Sequence, residues 1–129
     1  EDIGPAYPMA AVIVRACVES ARELGLPEAR LPLANAAVIL ATAPKSNSAH
    51  DAINAAIEDI HKGLGSDIPT HLRSPQFKGY KYPHDYPDHY VKQDYLPADV
   101  RGRKYYEFGE NRTEQAARAY WQRIKGEDV

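Results

Sequence analysis

Cysteine is nearly absent from this chain of 129 residues, and long apolar runs are missing altogether. Cys17 is the one cysteine, so no disulfide can form within the chain, and this usage is typical of a reducing cytoplasm. No apolar stretch approaches the roughly 18–20 residues of a membrane span, and no signal-peptide pattern is present. The sequence therefore predicts a cytoplasmic protein in which Cys17 is a small buried apolar residue.

Signature motifs of nucleotide binding and hydrolysis are also missing. The sequence has neither the Gly-x-x-x-x-Gly-Lys-Ser/Thr phosphate loop nor the Gly-x-Gly-x-x-Gly fingerprint, and it has neither a nucleophile elbow nor His-Glu-x-x-His. A net charge of −2 gives no overall attraction to nucleic acid or anionic lipid. We therefore expect no catalytic, cofactor-binding or metal-binding residue in this chain, and no enzymatic activity.

Residues 1–65 have the pattern of an α-helical core, and residues 1–129 are expected to form one globular domain. The spacing of apolar residues predicts a helix at 9–24, ended by Gly25, and a second at 33–41, opened by Pro32 and ended by Pro44. The first helix is expected to place these residues on one face: Ile13, Ala16, Cys17, Ser20 and Leu24. A third helix follows the capping candidates Ser46, Asn47 and Ser48. Its apolar stripe consists of Ile53, Ala56, Ile57, Ile60 and Leu64.

These helices are rich in alanine, which allows helix axes to approach closely. Apolar residues of the first two helices extend beyond a single stripe, so each helix is expected to be covered on more than one side. Two explanations stay open at this point. The helices pack closely within one subunit, or they form an oligomer.

Residues 66–108 contain no long periodic segment and hold seven of the nine tyrosines. Pro83, Pro87 and Pro97 fix φ and remove backbone donors, which excludes regular helix and central strand. Tyrosines at this density are expected to bury their rings. We predict an ordered extended arm laid across the core or a neighbouring subunit, with a structural centre at Tyr80, Tyr82, His84, Tyr86, His89, Tyr90 and Tyr95.

A last helical segment is predicted at 109–129. Asn111 or Thr113 is the candidate cap, and the helix is expected to run from Glu114 to Lys125. It places four residues on one side: Ala117, Tyr120, Trp121 and Ile124. The predicted fold class is therefore mostly α, a compact helical oligomerisation domain with a long Tyr/Pro/His-rich extended arm.

Three groups of residues admit a functional interpretation beside a structural one. One group could bind zinc or iron through imidazole and carboxylate ligands, and it consists of His84, Asp85, Asp88 and His89, with His71 as a further candidate. A metal-dependent hydrolase would use His84, Asp85 and His89. The spacing matches no closed zinc pattern, so we prefer histidines hydrogen-bonded among tyrosines. Lys45, Ser46 and Asn47 suit anion contact at a helix N-terminus or plain capping, and we prefer capping.

The arm also carries cations between its aromatic residues. Bases stack on rings while cations follow phosphates, so this pattern suggests a module that binds single-stranded DNA or a protein partner. The candidate DNA contacts are Lys78, Lys81, Lys92, Arg101, Arg103 and Lys104. Four aspartates in the same stretch dilute the positive field, which argues against a dedicated DNA groove.

Six motifs, in this order along the chain, carry a resemblance to a known family. They are EDIG at 1–4, APKSN at 43–47, PTHLR at 69–73, GYKYPHD at 79–85, QDYLP at 93–97 and GRKYY at 102–106. Together they closely resemble the C-terminal region of the replication-associated recombination protein A family, also called MgsA. The Werner-helicase-interacting AAA ATPase is its eukaryotic relative.

The resemblance implies a helical C-terminal domain that assembles homotetramers behind an N-terminal AAA ATPase module. It also implies DNA-dependent ATP hydrolysis, replication-fork maintenance, a nucleoid-associated location and contact with single-strand-binding protein. The chain begins at EDIG without methionine, so we expect the C-terminal domain alone. ATP and Mg²⁺ would bind residues upstream of it, and none of those roles transfers to a residue here.

One departure from the family pattern lies at residues 74–78. Family members usually carry a longer Gly- and Lys-rich segment between the His-Leu-Arg motif and GYKYPHD. Either this member has a deletion, or a mobile loop is missing from the sequence as given. A basic loop there would be the better candidate for DNA contact.

Overall fold

The computed structural model describes residues 1–75 and 77–126. In those residues the chain forms four α-helices and no strand: α1 (Met9–Leu24), α2 (Arg30–Thr42), α3 (Ser48–His61) and α4 (Arg112–Lys125). The prediction of a mostly α fold is confirmed. Gln76 of the 74–78 segment and the last three positions of the predicted 109–129 segment lie outside the described residues.

The bounds of α1 and α2 follow from glycine and proline. α1 begins and ends as the sequence predicts, and Gly25 stops it with a left-handed φ of 67°. α2 begins at Arg30, three residues before the predicted start at 33. Pro32 therefore lies in the first turn of the helix, where a backbone N–H has no helical acceptor, so its missing N–H costs no helical hydrogen bond. It ends at Thr42 because Ala43, which precedes Pro44, is extended with ψ of 146°.

α3 ends at His61, so the prediction that Leu64 extends its apolar stripe is wrong. The Leu64 N–H donates to the Asp59 carbonyl at 3.0 Å, and the Gly63 N–H donates to the Ile60 carbonyl at 2.9 Å. Gly63 has a φ of 81°, so these bonds form a Schellman turn, which satisfies carbonyls at the end of the helix. Leu64 therefore lies after the turn.

Asn111 caps α4, and Thr113 does not. The Asn111 side-chain oxygen accepts the Glu114 N–H at 3.0 Å, while the Thr113 hydroxyl donates to the Ala6 carbonyl at 2.9 Å. Glu114 is only 2% exposed and accepts bonds from the Gly109 N–H and the Asn111 amide. Asn111 therefore caps the helix, and the Glu114 carboxylate joins the first turn of α4 to Gly109 and to the Asn111 side chain.

The chain divides into two compact units. Unit 1 comprises residues 1–50 and 108–116, and unit 2 comprises residues 51–107 and the chain from 117 onward. In unit 1, α1 packs against α2, and the Asn35 amide of α2 lies 3.8 Å from the Cys17 sulfur of α1. The buried face of α1 is Ala10, Cys17 and Ala21, so the prediction for Cys17 is confirmed, but Leu24 is 57% exposed.

Unit 2 contains most of α3 and all of the 66–108 segment except Phe108. Between His61 and Arg112 the described residues form only 3₁₀ turns, at Thr70–Leu72, Pro83–Asp85, Pro87–His89 and Ala98–Val100. Prolines open two of these turns, as their fixed φ allows. That the segment lies across a neighbouring subunit stays a prediction.

The buried apolar residues of both units are small. Within residues 1–75 and 77–126 they are Ala6, Ala10, Cys17, Ala21, Ala29, Ala36 and Val100. Leucine, isoleucine and aromatic side chains remain half-buried or exposed. None of the helices in the described part of the chain is both long and apolar enough to span a membrane.

Candidate self-association surface

The first apolar surface lies on α2. No ionisable side chain occurs between Leu31 and Thr42, so the whole helix after its first residue is uncharged. α1 covers the side that includes the buried Ala36. On the remaining surface Leu31 is 67% exposed and Val38 is 59% exposed. A helix that is apolar on several sides is stable only when several sides are covered.

The spacing on α2 shows which face is open. Leu31, Ala34, Val38 and Ala41 are three or four residues apart, so they form one stripe, and all four are exposed. Because two of them are alanines, a second helix axis can approach this stripe closely. We call this stripe the α2 surface. Leu33 and Leu40 are also exposed, but they lie on another side of the helix.

A second apolar surface lies on α3 in unit 2. Ile53, Ile57 and Ile60 are 56%, 41% and 64% exposed. These three residues of the predicted stripe therefore share an apolar face that is open in the single chain. The buried residue of α3 is Asp59, which is 5% exposed.

Asp59 anchors the end of the 66–108 segment to α3. Its carboxylate accepts the Tyr105 hydroxyl at 2.9 Å and lies 3.4 Å from the Arg103 guanidinium. Burial and the hydrogen bond to Asp59 raise the pKa of Tyr105 above its ordinary value. Sequence reasoning missed Asp59, because an aspartate on a helix ordinarily faces solvent.

Side-chain bonds to the backbone hold the middle of the segment. The Gln93 side-chain amide donates to the Lys81 carbonyl at 2.7 Å and accepts the Lys81 N–H at 3.1 Å. It thus pairs with Lys81 as the backbone of a neighbouring strand would. The same amide nitrogen donates to the Tyr95 hydroxyl at 2.8 Å. His71 bonds the Asp94 carbonyl at 2.7 Å. No sequence signal singles out Gln93.

The predicted structural centre of the arm divides into two ring clusters. His84 lies 5.0 Å from Tyr82 and 4.9 Å from His89 between ring centroids. Tyr90 instead packs edge-on against Trp121 of α4, with centroids 6.3 Å apart. Four tyrosines are 37–54% exposed in the single chain, so their burial against a neighbouring subunit stays a prediction: Tyr80, Tyr82, Tyr86 and Tyr95.

The six predicted DNA contacts differ in their charge environment. Arg101 lies 3.3 Å from the Asp94 carboxylate, and Arg103 pairs with Asp59. Lys78, Lys81 and Lys104 are exposed, as is Lys92. At least two of the six cations thus pair with carboxylates of the same unit, which weakens the case for a basic groove.

No group of three or more His, Cys, Asp or Glu side chains is placed to hold a metal ion anywhere in residues 1–75 and 77–126. His84 and His89 are neighbours, but Asp85, Asp88 and His71 do not join them in such a group. The arrangement gives the hydrolase interpretation no metal centre in these residues.

The first two motifs of the resemblance meet in unit 1. The Ser46 N–H donates to the Asp2 carbonyl at 2.7 Å, and Lys45 Nζ donates to the Leu40 and Ala43 carbonyls at 2.7 and 2.8 Å. Lys45 therefore caps the end of α2, where a cation is favourable. Ser46 Oγ accepts the Ser48 N–H at 3.3 Å, in agreement with capping at the start of α3.

These contacts border a cavity of about 530 Å³ with an apolar floor that includes Ile3, Val14 and Leu40. Gly4 is required beside it, because its φ is +41° and a Cβ there would lie 3.0 Å from the Ser46 carbonyl oxygen. The two motifs thus build one local structure, although about forty residues separate them.

A sequence model described as MgsA AAA+ ATPase C terminal matches residues 1–125. The chain belongs to the MgsA AAA+ ATPase C-terminal family. Replication-associated recombination protein A of Bacillus subtilis is 44% identical to this MgsA C-terminal chain over 115 residues, which cover 82% of the chain and 27% of that protein. The Escherichia coli K12 protein of the same name is 34% identical over 116 residues, which cover 82% of this chain and 26% of that protein.

The family extends to eukaryotes. ATPase WRNIP1 of Dictyostelium discoideum is 32% identical over 118 residues, which are 84% of this chain and 14% of that protein. The MgsA C-terminal chain thus spans about a quarter or less of the length of these relatives. The resemblance that the six motifs carry is confirmed.

Proposed function

We propose that this chain is the homotetramerisation domain of a AAA ATPase that acts in replication-fork maintenance, recombination and repair. The α2 surface carries the proposal, because it is uncharged, exposed and formed on a well-defined helix. The names of the relatives, replication-associated recombination protein A among them, support the role in replication and recombination.

The size of the exposed surface can be compared with the cost of association. Fully burying a leucine, valine or isoleucine contributes about 1.5–3 kcal/mol. Leu31 and Val38 are 67% and 59% exposed, so covering them contributes about 1 kcal/mol each, or about 4 kcal/mol for two copies. Association costs about 4–15 kcal/mol, so this surface alone makes a marginal dimer.

The isoleucines of α3 supply a second surface in unit 2. A symmetric tetramer with twofold axes uses more than one kind of interface, whereas a simple dimer uses one. Two separate apolar surfaces, one in each unit, therefore support a tetramer over a dimer. The exposed tyrosines of the 66–108 segment add area that a neighbouring subunit can cover.

In such an assembly this domain fixes the number and spacing of the ATPase modules. ATP and Mg²⁺ would bind those modules, and DNA and single-strand-binding protein would contact the full-length protein in the cytoplasm. Linked modules gain effective concentration, so weak contacts of each module with DNA become strong together.

The test is the solution mass of this chain by light scattering across a dilution series. A tetramer has four times 14.4 kDa, or 57.6 kDa. A stable species of that mass supports the proposal. A monomer at every concentration refutes it, and binding of DNA or a partner by the arm then becomes the leading account.

A further inference from the structure

Unit 2 contains an aromatic cleft whose lining includes neither the α2 surface nor the exposed isoleucines of α3. Its volume is about 400 Å³, and its lining includes His89, Tyr90, Gln93, Tyr95, Trp121 and Lys125. Pockets that bind small ligands typically measure about 300–1,000 Å³ and combine aromatic walls with a few polar groups. The cleft has that size and that composition.

The rings of the aromatic cleft are accessible and held in place. Trp121 is 40% exposed and Tyr95 is 49% exposed, so each leaves much of its surface open. Tyr90 supports Trp121 edge-on, and Tyr120 does so from the same helix at 6.0 Å. The Gln93 amide fixes the Tyr95 hydroxyl at 2.8 Å. A planar ligand therefore meets rings that are already positioned.

A lysine lines the aromatic cleft. Lys125 Nζ lies 5.5 Å from the centroid of the Trp121 ring, at the end of a flexible side chain. Arg123 lies 5.5 Å from the Tyr120 ring on the same turn of α4. The described residues that line the cleft include a histidine and a lysine but no aspartate or glutamate. A ligand with an aromatic ring beside an anionic group matches this lining.

We propose that the aromatic cleft binds one nucleotide of a single-stranded nucleic acid, with the base on Trp121 and Tyr95 and the phosphate near Lys125. Bases stack on aromatic side chains independently of sequence, and cations beside the rings neutralise the backbone. This site differs from the six arm cations, because Trp121 and Lys125 belong to α4. It also does not depend on the α2 surface or the tetramer.

The experiment uses the fluorescence of Trp121, the only tryptophan of the chain. The chain is titrated at low salt with a short oligothymidylate and with an abasic sugar-phosphate strand of the same length and charge. Stacking predicts strong quenching by the oligothymidylate and much weaker binding of the abasic strand. Equal binding of the two strands overturns the proposal, because it shows phosphate attraction without base contact.

Two pairs of variants locate the contact. Tyr95→Ala is expected to weaken binding between about 5-fold and about 100-fold, whereas Tyr95→Phe keeps the ring and most of the affinity. Salt dependence is measured as the slope of the logarithm of the binding constant against the logarithm of the salt concentration. Lys125→Gln is expected to make this slope less steep by about 0.7, whereas Arg15→Gln in unit 1 leaves it unchanged. Undiminished binding by both Tyr95→Ala and Lys125→Gln overturns the proposal.

Solution mass is measured on every variant, so a loss of assembly is distinguished from a loss of strand binding. An acidic peptide with one aromatic residue serves as a competitor of different chemistry. If the peptide quenches Trp121 and the oligothymidylate does not, the cleft is a peptide site and the nucleotide proposal is wrong.

Discussion

Val38→Asp tests the α2 surface directly. Val38 is 59% exposed in the chain, so covering it in an assembly contributes about 1–2 kcal/mol per subunit. The substitution removes this contribution in four subunits, about 4–8 kcal/mol per tetramer, which is a change of about 10³-fold to 10⁶-fold in the overall association constant. Desolvation of the new carboxylate adds to the effect in the same direction.

The assay is light scattering at matched concentrations, with circular dichroism to confirm that the helices remain. Val38→Ala removes only apolar area and should shift dissociation less. Ser20→Asp places the same charge on an exposed position of α1 and serves as the control. The reasoning is refuted if Val38→Asp keeps the wild-type mass over the whole dilution series while Ser20→Asp behaves in the same way.

Three further predictions concern the anchors of the fold. Asn111→Ala removes the cap of α4 and is expected to destabilise the chain by about 1 kcal/mol; an unchanged denaturation midpoint would contradict the role of Asn111 as the cap. Because the raised pKa of Tyr105 means that its proton is lost more easily from the unfolded chain, the folded state should lose stability as the pH rises above about 10. Tyr105→Phe should reduce that loss, and parallel pH profiles of wild type and variant would exclude the linkage. Tyr82→Ala or Tyr90→Ala is expected to lower the melting temperature or dissociate the oligomer, and variants with unchanged melting temperature and mass would refute a structural role of the arm.

Local signals predicted the helices better than they predicted the buried faces. Gly25 and Pro44 mark the ends of α1 and α2, because their backbone constraints act within a few residues. The buried face of α1 differs, however, from the one predicted around Ile13 and Leu24. It is rotated by roughly 60° toward Ala10 and Ala21, since small side chains let α2 approach and a face of larger residues would not.

Long-range polar contacts account for the rest of what the sequence did not reveal. Asp59 is buried because Tyr105 and Arg103, more than forty residues later, supply a donor and a cation. Hydropathy patterns carry no information about such a pairing. The exposed tyrosines could not be assigned from the sequence for a similar reason. A tyrosine in a sequence indicates an aromatic ring, but it does not indicate whether the same chain, another subunit or a ligand contacts that ring.

The uncharged stretch of α2 has a consequence for how an assembly would respond to its surroundings. Alkyl groups carry no proton and no counterion, so contacts between them change little with pH or ionic strength. Phosphate contacts, by contrast, weaken steeply as salt rises. Salt could therefore release a DNA strand while the number of subunits stayed constant. Cooling would act on the subunits instead, since hydrophobic contacts weaken at low temperature.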